Sequence, residues 1–112
     1  MTALLVAVGG ALGALLRWAV GRWLSSSEFP WATLVVNVAG SLLLGLVAAT
    51  SEGWVLALLG TGVAGALTTY SAFALDTVLL ADNRKRGSAI ANVIGNLALS
   101  GAAFALGWVL VS

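Results

Sequence analysis

Gly60-Thr-Gly-Val-Ala-Gly-Ala-Leu-Thr-Thr-Tyr-Ser-Ala-Phe-Ala-Leu-Asp76 is the stretch on which the reading of this chain turns. It lies inside a long apolar run, yet carries Gly60, Gly62, Gly65, Thr68, Thr69, Tyr70, Ser71 and Phe73 where a plain membrane helix has leucines. Glycine and β-branched threonine are poor helix formers, so the stretch predicts a membrane helix that breaks midway. A break survives in lipid only where the freed backbone is buried in protein or lines a polar cavity. Unwound carbonyls at such breaks point at cations, so an ion site is expected there.

The composition outside this stretch agrees with a membrane location. Of 112 residues, 61% are hydrophobic and 8% charged, with a mean hydropathy of +1.07, against roughly 25% charged residues in soluble domains. A span needs about 20 apolar residues. The chain divides into four, at about 2–24, 31–50, 54–81 and 88–111, giving one all-α, four-span unit over 1–112 with no room for a soluble domain. The apolar N-terminus lacks the basic start and the short core of a cleaved signal. Cysteine and histidine are absent. Thiolate and imidazole metal sites, disulfides and most nucleophile–base pairs are thereby excluded, and five Lys and Arg make no nucleic-acid patch.

The first span carries Gly9, Gly10, Gly13 and Ala14, small residues that let another helix come close. Arg22 beside Trp18 and Trp23 reads as a side chain snorkelling into an interfacial aromatic belt. Arg17 lies deeper and is a candidate for attracting an anion or for pairing helices. The loop Ser25–Pro30 holds Glu28 and the only proline, which suits the first turn of the next helix. In the second span Thr33, Asn37 and Ser41 recur at i, i+4, i+8 and share one face. The same spacing places Asn92, Asn96 and Ser100 on one face of the fourth. Such a stripe serves either as hydrogen-bonding glue between helices or as the lining of a polar path. After a short link at Ser51–Gly53, the third span runs 28 residues from Trp54 to Ala81, longer than a bilayer requires, and an unwound segment absorbs the excess. Four short spans seldom enclose a pore, so an oligomer joined through Gly-rich faces is expected.

The carboxylates fall in or beside loops, apart from Asp76, one to two turns past the break. A proton-coupled exporter needs an intramembrane carboxylate. This weighs against a small multidrug-type proton antiporter, the main alternative, and an assembly subunit without transport is a third. What remains is hydrogen-bond donation from Asn37, Asn92, Asn96, Thr33, Ser41, Thr69, Ser71 and Ser100, with the positive edges of aromatic rings. That lining suits a small, strongly hydrated anion, because it replaces water without a fixed charge that traps the ion.

The run G-A-L-T-T-Y-S-A-F at 65–73 resembles the G-x-T-T-F-S-T-F signature of the small bacterial fluoride channels, the CrcB or Fluc family. Gly9-Gly-Ala-Leu-Gly-Ala-Leu-Leu-Arg17, Thr33-Leu-Val-Val-Asn-Val-Ala-Gly-Ser41, the chain length and the four spans extend the resemblance over the whole sequence. It implies a passive fluoride exporter of the bacterial inner membrane, built as a dual-pore antiparallel dimer. It further implies a structural, untransported sodium ion at the dimer centre, held by the backbone carbonyls of Gly65 and Thr68. Two carbonyls from each of two subunits make four hard oxygen ligands. Tyr70 and Phe73 match the family's two pore phenylalanines, and Asn37 its pore asparagine. Thr33 and Ser71 match polar-track positions, and Asn92, Asn96 and Ser100 the pore face of the fourth helix. Two departures stand out. Tyr70 adds a hydroxyl to a ring position, and Ala72 removes a donor from the track, so either the swap is neutral or one pore is altered.

Orientation follows the Lys/Arg balance of loops and helix ends. Both termini and the Glu52 link share one side, which has no Lys or Arg, whereas Arg22, Arg84, Lys85 and Arg86 belong to the other. The chain is therefore expected to insert one way, with Arg84–Arg86 in the cytoplasm. An antiparallel dimer then needs a related subunit of opposite bias, unless insertion of a homodimer overrides the bias. With one cysteine placed in the 82–87 loop, an impermeant thiol reagent added to intact cells should leave the chain unlabelled. Labelling of about half the protein would establish dual topology instead.

Overall fold

The computed structural model describes residues 1–24, 29–50 and 52–112. The residues 25–28 of the predicted first loop, Glu28 among them, and Ser51 of the second link lie outside the described residues. The described chain is helical, with α1 (Thr2–Trp23) and α2 (Trp31–Thr50) as the first two spans. The third begins as α3, a π-helical stretch Leu56–Ala64 closed by an α turn, Gly65–Leu67. It resumes as α4 (Ser71–Asp82), and α5 (Arg86–Val111) completes the chain. Four spans, counting α3 and α4 as one, are long and apolar enough to cross a membrane. The molecule extends 46 Å along its long axis, beyond the ~30 Å of a hydrocarbon core.

Boundaries follow local chemistry. Pro30 immediately precedes α2 and accepts the Leu34 amide at 3.3 Å, which suits a residue with no N–H of its own to satisfy. α4 ends in a tight reversal: the Lys85 amide reaches back to the Leu80 carbonyl and the Arg84 amide to that of Ala81. Arg84 takes the left-handed position, φ 61°, usually given to glycine in this motif. The reversal is short enough for α5 to start at Arg86, two residues before the expected Ser88.

The glycines expected to join subunits are largely used within one. α1 packs on α3 and α2 on α5. Where α1 meets α3, a Cβ on Gly9 would run into the Leu58 carbonyl, and one on Gly62 would stand 2.8 Å from the Gly9 Cα. Where α2 meets α5, a Cβ on Gly107 would stand 2.6 Å from the Leu42 carbonyl oxygen. These are backbone-to-backbone contacts, which only the absence of a side chain permits. By contrast Gly10, next to Gly9, faces open space. The enclosed core is built of small side chains accordingly, among them Val36, Val47, Ala57, Ala64, Ala89 and Ala103.

The adjacent glycines give a paired test. Gly9→Ala should destabilise the folded chain by about 1–3 kcal/mol through overpacking. Gly10→Ala should be neutral or stabilising by up to about 1 kcal/mol through helix propensity. Thermal unfolding in detergent measures both, and equal midpoints would contradict the close α1–α3 contact.

Candidate functional site at the helix break

The break falls inside the expected stretch, at its threonines and not at its glycines. Gly60, Gly62 and Gly65 are all helical; Gly65 has φ −62°, ψ −39°. Helical geometry stops after Leu67, Thr68 is extended at φ −75°, ψ 152°, and α4 begins at Ser71. Low helix propensity at Thr68 and Thr69 is compatible with the break, but it does not by itself hold it open. A backbone group leaves a helix in an apolar medium only if another partner takes it, and here the partner is Asn37 of α2. Its Oδ1 accepts the Thr69 amide at 2.7 Å, and its Nδ2 donates to the Thr69 carbonyl at 3.3 Å. The Thr69 hydroxyl then accepts the Ala72 amide at 3.2 Å, capping the first turn of α4.

Asn37 is in turn held from α5. Its Nδ2 also donates to Asn96 Oδ1 at 2.7 Å. Asn96 Nδ2 donates to the Oδ1 and main-chain oxygen of Asn92, at 2.9 and 2.8 Å. Asn92 Nδ2 donates to Thr77 Oγ1 at 2.9 Å, and Thr77 donates to the Phe73 carbonyl at 2.9 Å. Asn37, Asn96 and Asn92 are 8%, 5% and 0% exposed. The Nδ2 of Asn37 and that of Asn96 each have two protein oxygens as acceptors, so the three amides act as a ladder between helices.

Two cavities meet at Thr69. One, of about 290 Å³, is lined by Asn37, Ser41, Thr68, Thr69, Tyr70, Phe73, Asn96 and Ser100. Its two rings have centroids 6.0 Å apart and an interplanar angle of 57°, a tilted pair and not a face-to-face stack. The Ser100 hydroxyl is buried there without a partner among the described residues. Tyr70 is 80% exposed on the subunit surface. The other cavity, of about 770 Å³, is lined by Arg17, Trp18, Arg22, Thr33, Thr69 and Ala72, among others. Arg17 is exposed toward it, while Arg22 sits 5.4 Å over the Trp18 ring, a cation–π contact. The two departures noted in the sequence thus bear on different spaces: Tyr70 on the ring cavity, Ala72 on the arginine cavity.

Thr33 does not simply offer a proton to the arginine cavity, because its hydroxyl donates to Asp76 Oδ2 at 2.7 Å. Ser71 is exposed, with its hydroxyl 3.4 Å from that of Thr69. The Thr68 hydroxyl turns back to the Ala64 carbonyl at 3.0 Å and reaches the Gly65 carbonyl at 3.5 Å. With the Thr69 amide on Asn37 and the Ala72 amide on Thr69, the Gly65 and Thr68 carbonyls lose their usual helical donors. Asp76 and Thr77 escaped the sequence reading as functional positions. The available signal was spacing: Thr77 lies four residues after Phe73, where a hydroxyl reaches back to a helical carbonyl. Nothing in the spacing foretells Thr33 against Asp76, 43 residues apart.

Comparison with known proteins gives this arrangement its relatives. The family described as CrcB-like protein, Camphor Resistance (CrcB), matches residues 4–108. The chain is 48% identical to fluoride-specific ion channel FluC 2 of Rhodococcus jostii, over all of both chains. It is 46% identical to FluC 1 of Halobacterium salinarum, over 98% of this chain and 93% of that one. It is also 46% identical to FluC 1 of Thermobifida fusca, over 96% and 92%. These relatives are named as ion channels, not enzymes, and with four helices able to span a membrane the chain is a multi-pass membrane protein. It belongs to the CrcB family.

Proposed function

We propose that this chain is one subunit of a fluoride-specific channel that lets fluoride leave the cell passively and so limits its toxicity. It works in the bacterial plasma membrane as an antiparallel dimer, either with itself or with a related subunit of opposite orientation. The observation that carries the reading is Ser100: a buried hydroxyl without a partner among the described residues, in a cavity that also holds the Tyr70 and Phe73 rings. A free donor beside ring edges suits an anion and offers a cation little. Fluoride gives up its hydration only where donors replace it, and a site without fixed charge lets it leave again. Ser41, Thr69 and Ser71 supply further hydroxyls along this path, Asn37 and Asn96 fix its floor, and Arg17 draws anions into the adjoining cavity.

A sodium ion belongs to the same proposal. The Gly65 and Thr68 carbonyls are hard oxygen donors released by the break, and Gly65 lies exposed on the subunit surface, where a second copy brings its own pair. These two residues would hold the ion, which supplies fixed positive charge and ties the subunits together without being transported.

Efflux of fluoride from liposomes holding the purified chain, followed with a fluoride electrode, should proceed without a proton gradient. Proton-coupled movement of an organic cation with no fluoride flux would support the multidrug-exporter alternative. Ser100→Ala should slow efflux by about tenfold, the effect of losing one buried hydrogen bond to an ion. Asn37→Ala leaves the Thr69 amide, the Thr69 carbonyl and Asn96 Oδ1 unpaired, and should abolish flux while dimers persist on size exclusion; normal flux would reduce the Asn37 stripe to glue. Replacing sodium with a larger cation should slow flux or shorten the dimer's lifetime. Indifference of both to sodium would remove the central-ion assignment.

A further inference from the structure

Thr77 stands one turn past Phe73 on α4 and has no place in the ion path described above. Its hydroxyl is nonetheless doubly engaged, donating to the Phe73 carbonyl and accepting from Asn92 Nδ2, each at 2.9 Å. From Asn92 the bonds continue without a gap through Asn96 and Asn37 to the backbone of Thr69. One end of this chain is therefore the residue before Tyr70, and the other is Phe73 itself. It brackets the two rings, and of its side chains the three asparagines of α2 and α5 are buried and Thr77 of α4 is half-buried.

We propose that Thr77 and Asn92 are positioning residues that set the spacing and tilt of Tyr70 and Phe73 through this hydrogen-bonded chain. The rings stand at the very start of α4: Tyr70 is its N-cap, with its carbonyl accepting the Ala74 amide at 2.8 Å, and Phe73 lies in the first turn. A helix start that follows a break has no preceding turn to hold it, so side chains from neighbouring helices anchor it, with the Thr69 hydroxyl on the Ala72 amide. A buried polar chain is rigid when every member is satisfied and fails as a unit when one is removed. Thr77 is suited to its end of the chain because a hydroxyl donates and accepts at once. Serine does the same, and valine, of the same shape, does neither. The ring spacing in turn fixes how closely an anion meets both ring edges, so this inference rests on the channel reading above.

The test compares fluoride and chloride flux per assembled dimer in liposomes for the wild-type chain, Thr77→Val, Thr77→Ser, Asn92→Leu and the Thr77→Val/Asn92→Leu double variant. Thr77→Val should lower fluoride flux by about tenfold and raise chloride flux relative to fluoride, as displaced groups lose aligned contact. Thr77→Ser should keep the wild-type rate and selectivity, and the double variant should be no worse than its more severe parent, since both cut one chain. The proposal is overturned if Thr77→Val conducts and selects like wild type, if serine does not restore the rate, or if the single effects add. It is equally overturned if Thr77→Val lowers only the amount of dimer and leaves flux per dimer unchanged, or yields no dimer at all. Hydrogen exchange at the Thr69 amide is an independent readout: it should quicken in Thr77→Val, and an unchanged rate would show that the ends are not linked. Absence of fluoride flux in the wild-type chain would defeat the channel reading alone, with the exchange rates still judging the chain.

Discussion

A backbone amide released inside an apolar medium has to find another acceptor, and in this subunit the Thr69 amide finds Asn37. An unsatisfied amide in hydrocarbon costs several kcal/mol, enough to decide whether a helix runs on or stops. Because Asn37 receives the amide and returns a donor to the Thr69 carbonyl, α3 can end at Leu67 and α4 can begin at Ser71. The rings at Tyr70 and Phe73, the hydroxyl cap of Thr69 and the freed carbonyls before it all follow from that exchange. Asn37 can do this only because Asn96 holds its amide in one orientation, and Asn96 in turn leans on Asn92.

Close helix contact makes such reach possible. Asn37, Asn96 and Thr69 lie on three elements, and short side chains bridge them only where the backbones come near. Gly107 allows α5 to seat on α2 near Leu42, and Gly9 with Gly62 brings α1 against α3. Small residues that look, in a sequence, like contacts awaiting a second subunit are here consumed in bringing the polar ladder together. Among the groups left outward are the Tyr70 ring and the stretch carrying the Gly65 carbonyl, alongside open glycines such as Gly10 and Gly101 and many apolar side chains. In the proposed dimer a second copy would complete the first two.

Thr69 lines both an arginine cavity and a ring cavity. In the proposed channel the first would attract through charge and the second discriminate through donors and ring edges, tasks with opposite needs, since a charge strong enough to gather anions also retains them. On that proposal Ala72 removes a donor where Arg17 would supply attraction, whereas Tyr70 adds a hydroxyl beside Phe73. Asp76, drawing the Thr33 proton to itself, adds an acidic group to the neighbourhood of the first cavity.

Composition alone determined that this is a four-span, all-α membrane chain, because apolar length is a local property that lipid reads directly. The spacings of Asn37, Asn92, Asn96 and Ser100 likewise showed one-sided polar stripes, since side chains four apart share a helix face. Tertiary structure decided the rest. It placed the break at Thr68–Tyr70 within the expected stretch, because the end of a helix in lipid is fixed by whoever accepts its backbone, and that acceptor lies 32 residues away on α2. It separated the stripes, engaging Asn37, Asn92 and Asn96 with one another while leaving the Ser100 hydroxyl without a partner among the described residues. It also brought in Asp76 and Thr77 and wound Leu56–Ala64 more widely than an α-helix, none of which a periodic pattern records. Periodicity tells which residues share a face; only packing tells what that face meets.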